Sequence, residues 1–124
     1  MQKDWKSILT KEEFLVCREK GTEPAFSGNY DKFFKDGIYL CKCCKNQLFS
    51  SNEKFDSGSG WPSFTAPITK ENILYIEDTS HGMTRVEVQC SKCKSHLGHV
   101  FNDGPSPNFK RFCINSISLK FKNS

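Results

Sequence analysis

A chain of 124 residues holds one domain with a single core and leaves no room for two. Hydrophobic residues make up 36% and charged residues 26%, and no apolar run reaches about 18 residues, which excludes a membrane-spanning helix. The net charge of +4 comes from scattered lysines with no basic run, which argues against a nucleic-acid partner. The first residues lack the apolar centre of a secretory leader, so the expected location is the cytoplasm.

In chain order, Thr10-Lys11-Glu12-Glu13 reads as a capping box, with Thr10 as N-cap and Glu13 three residues on. The helix it opens is expected to run to about Lys20 and to stop at a left-handed Gly21. Residues 21–29, containing Gly, Pro and Ser, read as loop. Short apolar runs at 37–41 and 73–76 are expected as strands. Across 83–90, Val86, Val88 and Cys90 share one face of a strand while Arg85, Glu87 and Gln89 share the other. Ile117, Leu119 and Phe121 alternate in the same way with Ser116, Ser118 and Lys120. Turn clusters at Asp56-Ser57-Gly58-Ser59-Gly60, Ser80-His81-Gly82 and Asp103-Gly104-Pro105 separate these runs. The pattern predicts a mainly β, mostly antiparallel domain, with a helical and loop segment over 1–36 and a β core over 37–122. Eleven phenylalanines predict an aromatic core or an apolar pocket.

Seven cysteines argue against a closed disulfide framework, because an odd count leaves one sulfur over. In a reducing compartment, cysteines at this density bind metal or do chemistry. Cys41/Cys44 and Cys90/Cys93 each have C-x-x-C spacing, which lets both sulfurs of a turn face one ion. Two such turns complete the tetrahedron that zinc accepts, with a closed shell suited to a structural ion. The alternative is a pair of redox-active dithiols. Cys43 makes the register ambiguous, but only Cys41 and Cys44 reproduce the spacing of Cys90 and Cys93.

Cys17, Cys43 and Cys113 remain. On a strand, Arg111, Cys113 and Asn115 share a face that Ile117, Leu119 and Phe121 continue, lining up a cation, a thiol and an amide. A neighbouring guanidinium favours the thiolate. The competing reading is an inert, packed cysteine. His96 and His99 follow the second metal pair, and two imidazoles held by a metal-fixed turn suit proton transfer. Alternatively, one of them caps a turn. Trp61 lies between a Gly/Ser loop and Pro62, and either packs in the core or stands over a pocket. His81 carries no comparable argument.

Several segments together resemble the type B methionine sulfoxide reductases, which act on the R epimer. These are Gly21-Thr22-Glu23-Pro24-Ala25-Phe26-Ser27-Gly28, the two C-x-x-C pairs, Gly60-Trp61-Pro62-Ser63-Phe64 and Ser80-His81-Gly82-Met83. His96-Leu97-Gly98-His99-Val100-Phe101 and Arg111-Phe112-Cys113-Ile114-Asn115-Ser116 complete the set. The resemblance implies two antiparallel sheets with short flanking N-terminal helices and a four-cysteine zinc site. It implies that Cys113 attacks the sulfoxide and becomes a sulfenic acid. His96 and His99 would help protonate the departing oxygen, Arg111 and Asn115 would support the site, and Trp61 would receive the substrate methyl group. The implied substrate is oxidised methionine in proteins or peptides, and the implied reductant is thioredoxin or a similar dithiol.

The chain departs from that family at two places. Many members carry a resolving cysteine in a G-C-G-W pattern, where this chain has Ser59. Cys17 resembles an alternative resolving position, Cys43 is another candidate, and direct reduction by an external thiol is a further route. The family often has Gly after each zinc pair, where Lys45 and Lys94 stand here. Two rival readings are a zinc ribbon that binds nucleic acid and a redox sensor without turnover.

Overall fold

A computed structural model describes residues 5–79, 82–106 and 108–123; Ser80 and His81, and with them most of one expected turn, lie outside the described residues. Two antiparallel sheets form the body of the molecule. The smaller has β1 (Gly37–Cys41) at its centre, between β2 (Gln47–Ser50) and β9 (Leu119–Asn123). The larger takes β3 (Lys54–Phe55), β4 (Ser63–Phe64), β5 (Ile73–Asp78), β6 (Arg85–Cys90), β7 (His96–Phe101) and β8 (Arg111–Ile114). Their order across that sheet is β3-β4-β8-β7-β6-β5.

Aromatic rings fill the space between the sheets. Phe49 and Phe64 stack at 4.4 Å, Tyr39 meets Phe64 edge-on at 5.1 Å, and Phe121 and Phe33 extend the cluster. Such pairs add about 0.5–1.5 kcal/mol each beyond the area they bury. Of the two uses expected for the phenylalanines, the core takes most; Phe26, Phe34 and Phe109 are exposed.

The N-terminal segment packs α1 (Trp5–Ile8) and α2 (Lys11–Glu19) against this body. The capping box closes both ways: the Glu13 amide donates to Thr10 Oγ1 at 3.1 Å, and the Thr10 amide to Glu13 Oε1 at 2.9 Å. The left-handed residue at the far end is Lys20 (φ 60), not Gly21. Gly21 lies so close over Leu15 that a Cβ there would come within 3.1 Å of its carbonyl oxygen, and its own N–H donates to that oxygen. The left-handed turn is made one residue earlier, and Gly21 serves the close approach to Leu15 instead.

Two other expectations change. The row from Arg111 to Phe121 is not one strand, because a 3-10 turn at Ser116–Ser118 breaks it. Glu23 Oε1 accepts the Ile117 amide at 2.9 Å, holding the turn where the chain leaves the larger sheet for the smaller. His96 and His99 lie on β7, not in a turn.

Candidate active site

Strand register builds the centre of the site. His99 pairs with Cys113 on β8 and with Glu87 on β6, and Ser63 pairs with Cys113 from β4. Residues directly opposite each other share a face, so these four side chains form one row across the larger sheet. One pleat along, Arg85 pairs with Asp78 and Phe101 with Arg111.

A bulge brings the second histidine to this row. Residues three apart on a regular strand point to opposite faces. Between Val88↔Gly98 and Gln89↔His96 the register slips by one, leaving Leu97 as the extra residue. His96 is thereby turned to the face of His99, and their rings meet edge to face at 5.7 Å. Asn115 holds the bulge, donating to the Leu97 carbonyl from both its amide N–H (2.9 Å) and its Nδ2 (3.0 Å). Gly98 is required beside it, since a Cβ there would collide with the Cys113 carbonyl oxygen. β8 can press against the bulge only at a residue without a side chain.

The same asparagine links the bulge to Trp61. The Glu23 amide donates to Asn115 Oδ1 at 3.0 Å, and the Glu23 carbonyl accepts from Trp61 Nε1 at 2.9 Å. The result is a cleft of about 210 Å3 lined by Cys113, His99, Trp61, Arg111 and Asn115, together with Thr22, Ser59, Arg85, Gly98 and Phe101. Five residues singled out in the sequence therefore meet in one place. His96 is buried behind His99 and is not among the lining residues. Cys17 is also absent from the lining; it is sealed on α2, with its thiol 3.9 Å from Ser118 Oγ. Contact with the Cys43 thiol and burial push its pKa far up.

Two carboxylates that the sequence reading missed orient the histidines. Asp78 Oδ2 lies 2.7 Å from His99 Nε2, and Glu87 Oε2 lies 2.7 Å from His96 Nδ1. The alternation at Arg85, Glu87 and Gln89 was the available signal for Glu87; it became informative only once that face proved buried. Burial raises the Cys113 thiol above its ordinary value and outweighs the charge of Arg111 and the hydrogen bonds from Ser59 and Arg111. The expected activation by Arg111 is present but is not the larger effect. Part of the reason is that Arg111 is shared: Nε donates to Asp103 Oδ1 at 2.8 Å, and the guanidinium lies over the Phe101 ring.

The four paired cysteines form a separate centre. Their sulfurs lie within 4.8 Å of one another, with Cys41–Cys93 at 3.6 Å and Cys44–Cys90 at 3.5 Å. A tetrahedral ion with metal–sulfur bonds of about 2.3 Å needs sulfurs about 3.8 Å apart, so the cluster could hold one metal ion. The two turns are near copies. Cys41 and Cys90 accept through their carbonyls from the Lys45 and Lys94 amides, and both lysines are left-handed, at φ 67 and 64. Each lysine folds its ammonium back onto a carbonyl of its own turn, Lys42 or Ser91.

A model of the SelR domain matches residues 9–123. The peptide methionine sulfoxide reductase MsrB of Pseudomonas syringae pv. syringae is 57% identical over 116 residues, covering 94% of this chain and 88% of that protein. Its namesakes from Alteromonas mediterranea and Methanosarcina barkeri are each 54% identical over 121 residues, covering 98% of this chain and 85% of theirs. Among solved structures, the Mis18 "Yippee-like" domain superposes with a TM-score of 0.55 at 15% identity, over 73% of this chain and 98% of its own. At that identity the likeness concerns the fold alone.

Proposed function

The chain belongs to the SelR-domain family of peptide methionine sulfoxide reductases, and from that premise we propose that Cys113 is its nucleophile. The protein is an oxidoreductase that reduces methionine-R-sulfoxide in peptides or proteins to methionine. The observation carrying the residue assignment is the single cleft that gathers Cys113, His99, Trp61, Arg111 and Asn115.

The reaction balances without an outside proton. Cys113 starts as the thiol, because burial raises it. Thiol and sulfoxide give sulfenic acid and thioether: the oxygen leaves the methionine sulfur for Sγ, and the thiol proton ends on that oxygen. The methionine sulfur gains two electrons and Sγ loses two. His99, oriented by Asp78 at 2.7 Å, carries the proton between the two sites, with His96 behind it. The indole of Trp61 offers the apolar wall for the S-methyl group, and Arg111 stabilises developing charge. Asn115 holds the bulge that aligns both imidazoles.

Zinc is the metal we assign to Cys41, Cys44, Cys90 and Cys93, because four thiolates suit it and leave no open position. Bound there, it supplies a crosslink between the ends of both sheets. Residues 1–124 are assigned as one reductase domain. Thioredoxin or a similar cytoplasmic dithiol is the proposed reductant. Ser59 has no thiol and Cys17 is sealed beneath Ser118, which favours direct attack of that reductant on the sulfenic acid; resolution by Cys17 would require α2 to lift.

The test supplies dithiothreitol, then thioredoxin with its reductase, and each sulfoxide epimer in turn. Methionine is expected from the R epimer alone, and Cys17→Ser is expected to retain both activities. Loss of only the thioredoxin-driven rate in Cys17→Ser would make Cys17 the resolving thiol. No product from either epimer would end the reductase reading.

A further inference from the structure

Behind the cleft lies a buried carboxylate to which the reaction above gives no role. Glu87 is 2% exposed and stands opposite His99 in the row that contains Cys113. Its Oε2 lies 2.7 Å from His96 Nδ1 and accepts from Gln89 Nε2 at 3.0 Å. Its Oε1 pairs with Lys20 Nζ at 3.1 Å. Lys20 is the residue whose left-handed backbone ends α2, so the strained turn delivers a cation to this carboxylate.

The chemistry of the cluster restricts His96. Burial works to raise the Glu87 carboxyl, yet the hydrogen bonds from Gln89, His96 and Lys20 outweigh it and hold the group below the ordinary glutamate value. Glu87 is therefore a carboxylate and can only accept, so the proton between it and His96 belongs to Nδ1. In the neutral ring Nε2 is then a bare lone pair. That atom is buried and has no hydrogen-bond partner, an unusual condition for a polar atom unless chemistry uses it.

We propose that Glu87 is a positioning residue that locks His96 in its Nδ1–H tautomer, the state in which the imidazole behind His99 can take up a proton at Nε2 during turnover. This rests on the reading of His96 as a member of the proton-transfer pair. While the proton resides on Nε2 the ring is an imidazolium, and the carboxylate stabilises it without being protonated itself, as the aspartate of a hydrolase triad does. Gln89 and Lys20 keep Glu87 ionised and fixed in place. When the proton leaves Nε2, the ring returns to its resting tautomer with Nδ1–H still directed at Glu87.

The test compares Glu87→Gln, Glu87→Asp and His96→Gln in the full-length, metal-loaded protein. Imidazole 15N resonances of the wild type are expected to show His96 as the Nδ1–H tautomer; an Nε2–H tautomer overturns the proposal without any variant. Glu87→Gln is expected to mix the tautomers and to lower kcat with dithiothreitol by roughly 10- to 100-fold, with KM within about twofold. Glu87→Asp is expected to recover part of the rate. A folded Glu87→Gln protein with unchanged tautomer, whatever its rate, would reduce Glu87 to a packing residue. His96→Gln separates the two layers: wild-type turnover there removes His96 from the reaction, whereas a slow His96→Gln beside a normal Glu87→Gln rejects only the inference.

Discussion

The metal end and the cleft are built by opposite strategies. At the metal end, two copies of one short turn bring sulfurs together, and each turn closes through its own hydrogen bonds, from Lys45 to Cys41 and from Lys94 to Cys90. The cleft has no such local unit. Cys113 comes from β8, His99 from β7, Asp78 from β5 and Trp61 from the loop before β4. It depends on a bulge, on a glycine pressed against a neighbouring strand, and on an asparagine linking both to Glu23. Local geometry therefore makes the first centre robust, and long-range register makes the second exact only when the whole sheet is in place.

That contrast can be broken from either side. Cys113→Ser should remove all sulfoxide turnover while the melting temperature stays within a few degrees of wild type. If activity persisted, the cleft would not be organised around that sulfur. Cys90→Ser, or prolonged chelation, should do the reverse and lose the fold first, because metal binding contributes free energy comparable to a domain's whole stability of about 5–15 kcal/mol. Circular dichroism before and after chelation decides this; an unchanged melting curve would show that the crosslink is dispensable.

Smaller effects sharpen the comparison. Asp78→Asn should lower kcat by about 10- to 100-fold with little change in stability, since it removes the charge that pairs with His99, and with Arg85 at 3.4 Å, without disturbing the core. A normal rate would exclude His99 as the oriented proton carrier. Because burial raises Cys113 above its ordinary value, its thiolate fraction should climb about tenfold per pH unit between pH 7 and 8. Iodoacetamide labelling of Cys113 should follow that slope, and a plateau below pH 8 would contradict it. At the metal turns, Lys45→Gly or Lys94→Gly should stabilise the protein by up to about 1 kcal/mol by relieving a left-handed backbone, less whatever the ammonium–carbonyl contact contributes. Denaturant midpoints give the sign.

Legibility followed the same division. The capping box at Thr10 and Glu13, the strand at 37–41 and the four-cysteine cluster were all readable, because each depends on spacing within a few residues. The polar face of β6 was visible as an alternation, but nothing local marked Glu87 as buried rather than solvated. His96 and His99 were recognised as a pair, yet period-two reasoning places them on opposite faces, and only the bulge at Leu97 reverses that. The row from Arg111 to Phe121 misled for a related reason. Alternation continues through Ser116 and Ile117, while the Glu23 carboxylate bends the backbone there into a 3-10 turn.

By itself, then, the order of residues determined the two cysteine-pair turns, the class of fold and the residue types available for sulfur chemistry, since all of these arise from short-range spacing and composition. Tertiary structure alone decided which carboxylate pairs with which histidine, that burial raises the half-buried Cys113 thiol despite Arg111, and that Cys17 is enclosed away from the cleft. The reason is physical: burial and charge pairing depend on every strand that packs around a group, and those neighbours lie tens of residues away along the chain.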